Sequence, residues 1–270
     1  MYVDYYKLTE SPFNVTPDPK FLYMTDQHET ALNHLLFGIR EHKGFVLLTG
    51  EVGTGKTTLC RKLLGALEGG GYQTALILNP MLTGTQLLRA IVEEFGLECP
   101  TRDRLRCLSQ LNQFLLQINA SGHDAVLIID EAQDMSTDLL EMTRLLSNLE
   151  TDSRKLLQIV LAGQPELRHK LRSINLRQLN QRITVRYHLK PMNLPETDRY
   201  IRHRIHIAGG REGLRFDRAA VAEVYRFSGG TPRLINAIGD KALLAGYVNQ
   251  THVIDKAWVV AAVRELKEAA

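Results

Sequence analysis

Apolar residues in this chain gather into five short runs, and between the runs they recur every three or four positions. The runs are Phe45–Thr49, Thr74–Leu78, Ala125–Ile129, Leu156–Ala162 and Ile183–Leu189. Runs this short, rich in Val, Ile and Leu, predict strands buried on both faces, since a strand half open to water would alternate apolar with polar. The intervening stretches predict helices over Lys56–Leu67, Thr85–Phe95, Arg104–Ile118 and Thr137–Leu149, the last capped by Thr137. Shorter helices are expected over Pro165–Leu171 and Leu176–Asn180. Buried strands alternating with helices imply an α/β fold, a parallel sheet covered on both faces.

The two ends of the chain read differently. Pro12, Phe13, Pro17, Pro19, Phe21 and Tyr23 crowd the opening segment, and prolines at this density forbid a continuous helix. An extended, packed arm is expected there. Asp26 then caps a helix through His42, with Leu32, Leu35, Leu36 and Ile39 at helical spacing and Gly44 ending it. Beyond Pro191 no strand is expected. Four amphipathic helices follow over Glu196–Ala208, Arg218–Phe227, Pro232–Val248 and Asp255–Glu268. The expected division is an arm and helix over 1–44, an α/β core over 45–190 and a small all-helical domain over 191–270.

Composition narrows the class. Hydrophobic residues at 44% and charged residues at 23% exclude a disordered, collagenous or coiled-coil chain. No apolar run approaches the ~18 residues of a membrane span, and Met1–Glu10 lacks a signal-peptide pattern, so a cytoplasmic location is expected. Cys60, Cys99 and Cys107 follow no metal-ligand spacing, and no disulfide is expected. The net charge is only +3, but Thr151–Glu212 holds 13 Lys/Arg against 5 Asp/Glu. That local excess fits a solvated helical face, a nucleic-acid surface, or arginines reaching a nucleotide on a neighbouring subunit.

The chemistry is carried by loops at strand ends. Gly50, Glu51, Val52, Gly53, Thr54, Gly55, Lys56 and Thr57 complete the pattern G-x-x-x-x-G-K-[ST] between a predicted strand and a predicted helix. Glycines let backbone N–H groups wrap phosphate, and the helix start adds partial positive charge. Lys56 is expected at the β/γ-phosphates and the Thr57 hydroxyl at Mg²⁺, with Thr58 next in the ATP-binding stretch. Asp130 and Glu131 end the third run. Asp130 is the expected Mg²⁺ ligand and Glu131 the group that polarises an attacking water. Gln164 follows the fourth run, where a polar side chain lying between the acidic pair and the γ-phosphate and an ordinary loop glutamine fit equally. Arg233 projects from the first turn of a helix capped by Thr231 and started by Pro232, and is a candidate γ-phosphate contact. Arg182, just before the fifth run, is placed to reach a neighbour's nucleotide, with Arg177 and Arg186 as competitors. His203 and His206 lack a third ligand, and no serine or cysteine has the surroundings of a nucleophile.

These features together resemble an AAA+ ATPase of P-loop NTPase fold. The PF-x3-PDP-x-FLY opening, HETALNHLLFGI, GFVLLTGEVGTGKTTLCRKLL, LIIDEAQDMS, LLQIVLAGQPEL, LNQRITVRYHL and GGTPRLIN resemble the general secretion pathway protein A family along nearly the whole chain. The resemblance implies a five-stranded parallel sheet followed by a helical lid, and Mg-dependent ATP hydrolysis. It also implies sensor roles for Gln164 and Arg233, a finger role in trans for Arg182, and an arm and His28 near the adenine. It implies self-association as a ring or dimer, and a protein partner in secretion, pilus or exopolysaccharide export at the inner membrane. Longer members continue into a membrane helix and a peptidoglycan-binding domain, so this sequence is either a short cytoplasmic member or a piece of a longer chain. Similar ATPases serve transposition, which keeps a DNA-binding helper as the alternative, beside an ATP-binding switch with negligible turnover.

Overall fold

The five apolar runs form the five strands of one parallel sheet: β1 Phe45–Gly50, β2 Tyr72–Ile77, β3 Asp124–Ile129, β4 Leu157–Gly163 and β5 Ile183–Leu189. The order across the sheet is β2-β3-β4-β1-β5. In this computed structural model residues 1–14, 19–99, 103–150, 154–210 and 213–268 are described. Pro17 of the expected arm, and Thr151–Ser153, Arg211 and Glu212 of the basic stretch, lie outside the described residues.

Burial explains why the strand runs are continuous rather than alternating. Phe45, Leu47, Leu127, Ile129, Ile159 and Leu161 point into one core cluster. Their neighbours Val46, Leu48, Val126, Ile128, Val160 and Ala162 are buried as well. Successive side chains of a strand face opposite sides, so both faces of the sheet are covered. The edge strands β2 and β5 admit polar residues: Gln73, Thr184 and Arg186 are exposed. Helix Asp26–Arg40 lies close over the sheet at Gly38, where an added Cβ would stand 2.4 Å from Val46 Cγ2.

The chain divides into two compact units. One comprises Gln27–Glu51 and Lys56–Leu189 and holds the sheet; the other comprises Met1–Asp26, Val52–Gly55 and Lys190–Ala270. Residues 1–44, expected as one leading segment, therefore divide at Asp26. Within the second unit the arm is fastened to the C-terminal helices. Phe13 is buried against Gly239, and the Tyr6 hydroxyl donates to the carbonyls of Leu243 and Thr251 at 3.1 Å each. The Arg204 guanidinium donates to the carbonyls of Pro12 and Asn14 and stands over the Phe21 ring at 4.4 Å.

Several local expectations are corrected. The arm opens with one helical turn, Tyr2–Tyr5, and includes a 3-10 turn at Pro19–Phe21. The C-terminal region, expected to be free of strands, pairs β6 Arg215–Phe216 with β7 Val253–Ile254. Two residues are too few for an alternation to be read. Ser136, not Thr137, caps helix Thr137–Leu146, since its hydroxyl accepts the Leu139 N–H at 3.2 Å. Thr231 stands at the start of helix Pro232–Val248 but makes no side-chain capping bond. Cys99 and Cys107, expected unpaired, are disulfide-bonded; both are buried in the same core cluster, which sets them side by side, while Cys60 is a free buried thiol.

Helix Arg218–Ser228 ends on two consecutive left-handed glycines with different surroundings. Gly229 has φ of 56° and open space where a Cβ would go. Gly230 has φ of 78°, and its Cβ would stand 1.8 Å from the Met192 carbonyl oxygen. Gly229→Ala should cost only the left-handed strain, about 1–2 kcal/mol. Gly230→Ala must also displace backbone, and its loss should exceed about 3 kcal/mol. Urea unfolding of both variants checks this; equal midpoints would contradict the packing described.

Candidate functional site

Parallel strands deliver their carboxyl ends to one edge, and the loops that leave β1, β3 and β4 carry the polar residues. After β1 the chain turns through Gly53 at φ 77° and Gly55 at φ 99°, a backbone that L side chains rarely adopt. Among the described residues the N–H groups of Gly53 and Gly55 have no hydrogen-bond acceptor. Helix Lys56–Leu67 starts immediately afterwards. Unpaired N–H groups ahead of a helix start form an anion-binding arrangement.

Lys56 opens this helix, and its ammonium donates back to the carbonyls of Gly50 at 2.8 Å and Glu51 at 3.0 Å. It is only 5% exposed, and burial lowers its pKa, opposed by the negative charges of Glu131 and Asp130. The Thr57 hydroxyl donates to Asp130 Oδ2 at 2.5 Å. Asp130, at the end of β3, also accepts the Glu131 N–H on Oδ1 at 2.9 Å. Burial raises its pKa, and the bonds from Thr57 and the Glu131 N–H work against that rise. Thr54 is buried, Thr58 half-buried, and Glu51 and Val52 are exposed.

A buried ammonium and a buried carboxylate that burial drives toward neutrality are short of compensating charge. A phosphate would answer the first and a divalent cation the second. Among the described residues no group of three His, Cys, Asp or Glu could hold a metal. One carboxylate and one hydroxyl do suit Mg²⁺, which takes few protein ligands and completes its shell with water and substrate phosphate. The donor set fits Mg-nucleotide.

Glu131 follows in a left-handed conformation, φ 48° and ψ 36°, ahead of the 3-10 turn Ala132–Asp134. Its Oε2 accepts from Gln133 Nε2 at 2.8 Å and from Gln164 Nε2 at 3.3 Å. Gln164, at the end of β4, thus meets the acidic pair. Its backbone N–H donates to Gln133 Oε1 at 3.0 Å. Lys170, on helix Pro165–Leu171, donates to the carbonyls of Gln133 at 2.6 Å and Met135 at 2.8 Å. Gln133 and Lys170 escape sequence reasoning. Neither belongs to a spacing pattern, and the only sequence signal for this turn is the polar crowding of Asp130, Glu131, Gln133 and Asp134.

The arginines are distributed otherwise. Arg182 ends the short helix Arg177–Arg182, and its Nη1 donates to Ser147 Oγ at 3.0 Å and Asn148 Oδ1 at 2.5 Å. It makes no bond to Lys56, Asp130, Glu131 or Gln164 among the described residues. Arg186 donates to the carbonyls of Ile183 and Asn180; burial and then the like charges of Arg168 and Arg172 lower its pKa. Arg177 is exposed. Within the unit that holds the C-terminal helices, Arg233 and Thr231 crowd the glycine loop: a Cβ on Gly53 would stand 2.7 Å from Arg233 Cβ. His28 is buried in helix Asp26–Arg40.

Residues 39–171 match the AAA domain family, a span that holds the glycine loop, the acidic pair and Gln164 and stops before Arg182 and Arg233. The chain is 48% identical over 255 residues to general secretion pathway protein A of Aeromonas hydrophila. That match covers 94% of this chain and 46% of the relative, so the chain spans about half the relative's length. Among solved structures it resembles the ORC2 protein of Aeropyrum pernix in its ADPNP and ADP complexes, with TM-score 0.70 and 19% identity over 97% of this chain and 72% of that one. It also resembles Drosophila ORC bound to DNA, with TM-score 0.72 and 17% identity over 97% and 66% of the two chains. The RuvB branch migration motor of Thermotoga maritima follows with TM-score 0.59 and 19% identity over 88% and 69%. At these identities the structures establish the fold.

Gly163 lets β4 approach the acidic turn closely. A Cβ there would stand 2.9 Å from Gln133 Oε1 and from Leu167 Cδ2. Both atoms are held, the first by the Gln164 N–H and the second in the core. Gly163→Ala should therefore overpack the turn and cost about 1–3 kcal/mol. A chemical-unfolding midpoint equal to that of the unaltered protein would show that the turn has slack.

Proposed function

We infer that this chain, whose residues 39–171 match the AAA domain family, binds ATP with Mg²⁺ and hydrolyses it. The observation that carries the reading is the Thr57–Asp130 hydrogen bond beside the buried, charge-short Lys56. The Gly53 and Gly55 N–H groups receive phosphate oxygens, and Lys56 exchanges its loop carbonyls for the β/γ-phosphates. Thr57 and Asp130 hold Mg²⁺, which when bound neutralises charge on the phosphates. Glu131 takes the proton of the attacking water. Gln164, bonded to Glu131, reports the γ-phosphate to the end of β4. Arg233, packed beside Gly53, takes the sensor role that the resemblance implies.

Lys56→Ala should fold normally and lose about 10–100-fold in ATP affinity, the worth of one charge-assisted hydrogen bond. Glu131→Gln should keep ATP affinity and lose about 10²–10⁴ in turnover. Calorimetry and a steady-state phosphate-release assay read the two effects separately. Equal affinity in the first variant, or full turnover in the second, defeats the assignment. ATP binding without any turnover in the unaltered protein leaves a nucleotide-controlled switch instead.

Hydrolysis is completed by association into a ring or dimer, with Arg182 acting in trans. Its bonds to Ser147 and Asn148 leave it outside its own subunit's Lys56–Glu131 group. Arginine fingers contribute about 10³–10⁵ in rate, so specific activity should rise with protein concentration. Arg182→Ala should bind ATP and lose that rise. Mixed with Glu131→Gln it should regain activity, because some interfaces then pair an intact Glu131 with an intact Arg182. A dead mixture of co-assembled variants transfers the role to Arg177 or Arg186.

The cellular role follows the relative named for general secretion. The chain is a nucleotide-controlled assembly factor for bacterial envelope secretion, pilus or exopolysaccharide export, cytoplasmic and reaching the inner membrane through a protein partner. No helix among the described residues is long and apolar enough to cross a membrane. A second reading, a DNA-binding helper ATPase, draws on Arg168, Arg172, Arg177 and Arg186, none of which has an ion-pair partner among the described residues. ATP-stimulated DNA binding that persists at physiological salt selects that reading; weak binding that salt abolishes selects export.

A further inference from the structure

The side-chain amide of Gln133 sits where three groups converge. Its Nε2 donates to Glu131 Oε2 at 2.8 Å and Asp134 Oδ2 at 3.1 Å, and its Oε1 accepts the Gln164 backbone N–H at 3.0 Å. Only one orientation of the amide suits these neighbours, since a backbone N–H cannot accept and ionised carboxylates cannot donate. The partners are anchored on both sides. Lys170 holds the Gln133 and Met135 carbonyls, and Gly163 leaves room for Oε1, as a Cβ there would stand 2.9 Å away. Both amides that reach Glu131, from Gln133 and Gln164, use the same oxygen, Oε2. Neither of these bonds uses the other carboxylate oxygen, Oε1.

We propose that Gln133 is a positioning residue for the reaction: its amide fixes the Glu131 carboxylate through Oε2, leaves Oε1 to take the proton of the attacking water, and ties this arrangement to β4 at Gln164. The proposal rests on the ATPase reading above. It explains why glutamine stands two positions after the base. A shorter side chain would not span from Glu131 to the Gln164 N–H, and a glutamate would set an anion against two others. It also explains why the backbone of Glu131 is held left-handed: the conformation brings residue 131 within reach of the residue 133 amide.

Two substitutions separate the two halves of the amide. Gln133→Glu keeps an acceptor for the Gln164 N–H and removes the donor to Glu131. Gln133→Met removes both. Neither side chain touches the glycine loop, so ATP affinity by calorimetry should stay unchanged in each. The kcat of each should fall about 10–100-fold, the scale expected for a displaced reacting group, with KM for ATP unchanged. Hydrogen exchange gives a readout apart from turnover: the Gln164 amide should exchange faster in Gln133→Met and stay protected in Gln133→Glu. In a Glu131→Gln background, Gln133→Met should leave the residual turnover as it was.

The proposal is overturned if Gln133→Met keeps full kcat, or if it lowers the residual turnover of Glu131→Gln by the same factor as in the unaltered protein. It is also overturned if the Gln164 amide exchanges equally in all three proteins. Should the unaltered protein bind ATP but not turn it over, the ATPase reading fails by itself. The exchange rates then still decide whether Gln133 links the acidic turn to β4, faster exchange in Gln133→Met supporting the link and equal exchange removing it.

Discussion

A hydroxyl and a carboxylate separated by 73 residues share a hydrogen bond of 2.5 Å, and the site is organised around it. Thr57 lies in the first turn of the helix after β1, and Asp130 directly follows β3. The two strands are not neighbours, because β4 lies between them. Reaching across it requires all three to run parallel and end together, which requires helices on both faces of the sheet. The bond also concentrates unfavourable burial at one point, since the Asp130 carboxylate and the Lys56 ammonium are both pushed toward their neutral forms. A fold does not gather such groups for stability, as a buried charge without full compensation costs free energy. A ligand that brings the missing charges would offset that cost.

Much of this was legible in the residues because the physics involved is local. Apolar runs such as Phe45–Thr49 and Ala125–Ile129 are continuous because both faces of a central strand are dry, and Gly53 and Gly55 stand where φ is positive. What was not legible depended on tertiary position. Nothing in the spacing of Cys99 and Cys107 announces a bond; the core that receives both does. The β6–β7 pair is two residues long, below any readable period. Ser136 and Thr137 are equally good caps, and only the start of the helix chooses between them. Gln133 and Lys170 acquire meaning from groups on β4 and the helix after it, which sequence order keeps more than thirty residues away.

The two units divide the work differently from the sequence order. The arm joins the C-terminal helices through Phe13, Tyr6 and Arg204, while the helix that follows it covers the sheet at Val46. Part of the glycine loop, Val52–Gly55, groups with the same C-terminal helices, where Gly53 lies against Arg233 and Thr231. A glycine at 53 is therefore doubly required, by its φ and by the closeness of Arg233. The loop that would cradle phosphate and the arginine that would sense it are thus packed as neighbours within one unit. The acidic turn, by contrast, is braced entirely within the sheet unit by Gln133, Gln164 and Lys170.

The central claim is that the Thr57–Asp130 pair is a cation site completed by a nucleotide. Calorimetric titration of the purified chain with ATP, in magnesium and again in excess chelator, tests it most directly. The account predicts one ATP per chain, with affinity that falls sharply when magnesium is removed and a magnesium dependence that Asp130→Asn abolishes. Binding equally tight in chelator, or a magnesium effect that survives Asp130→Asn, would contradict it.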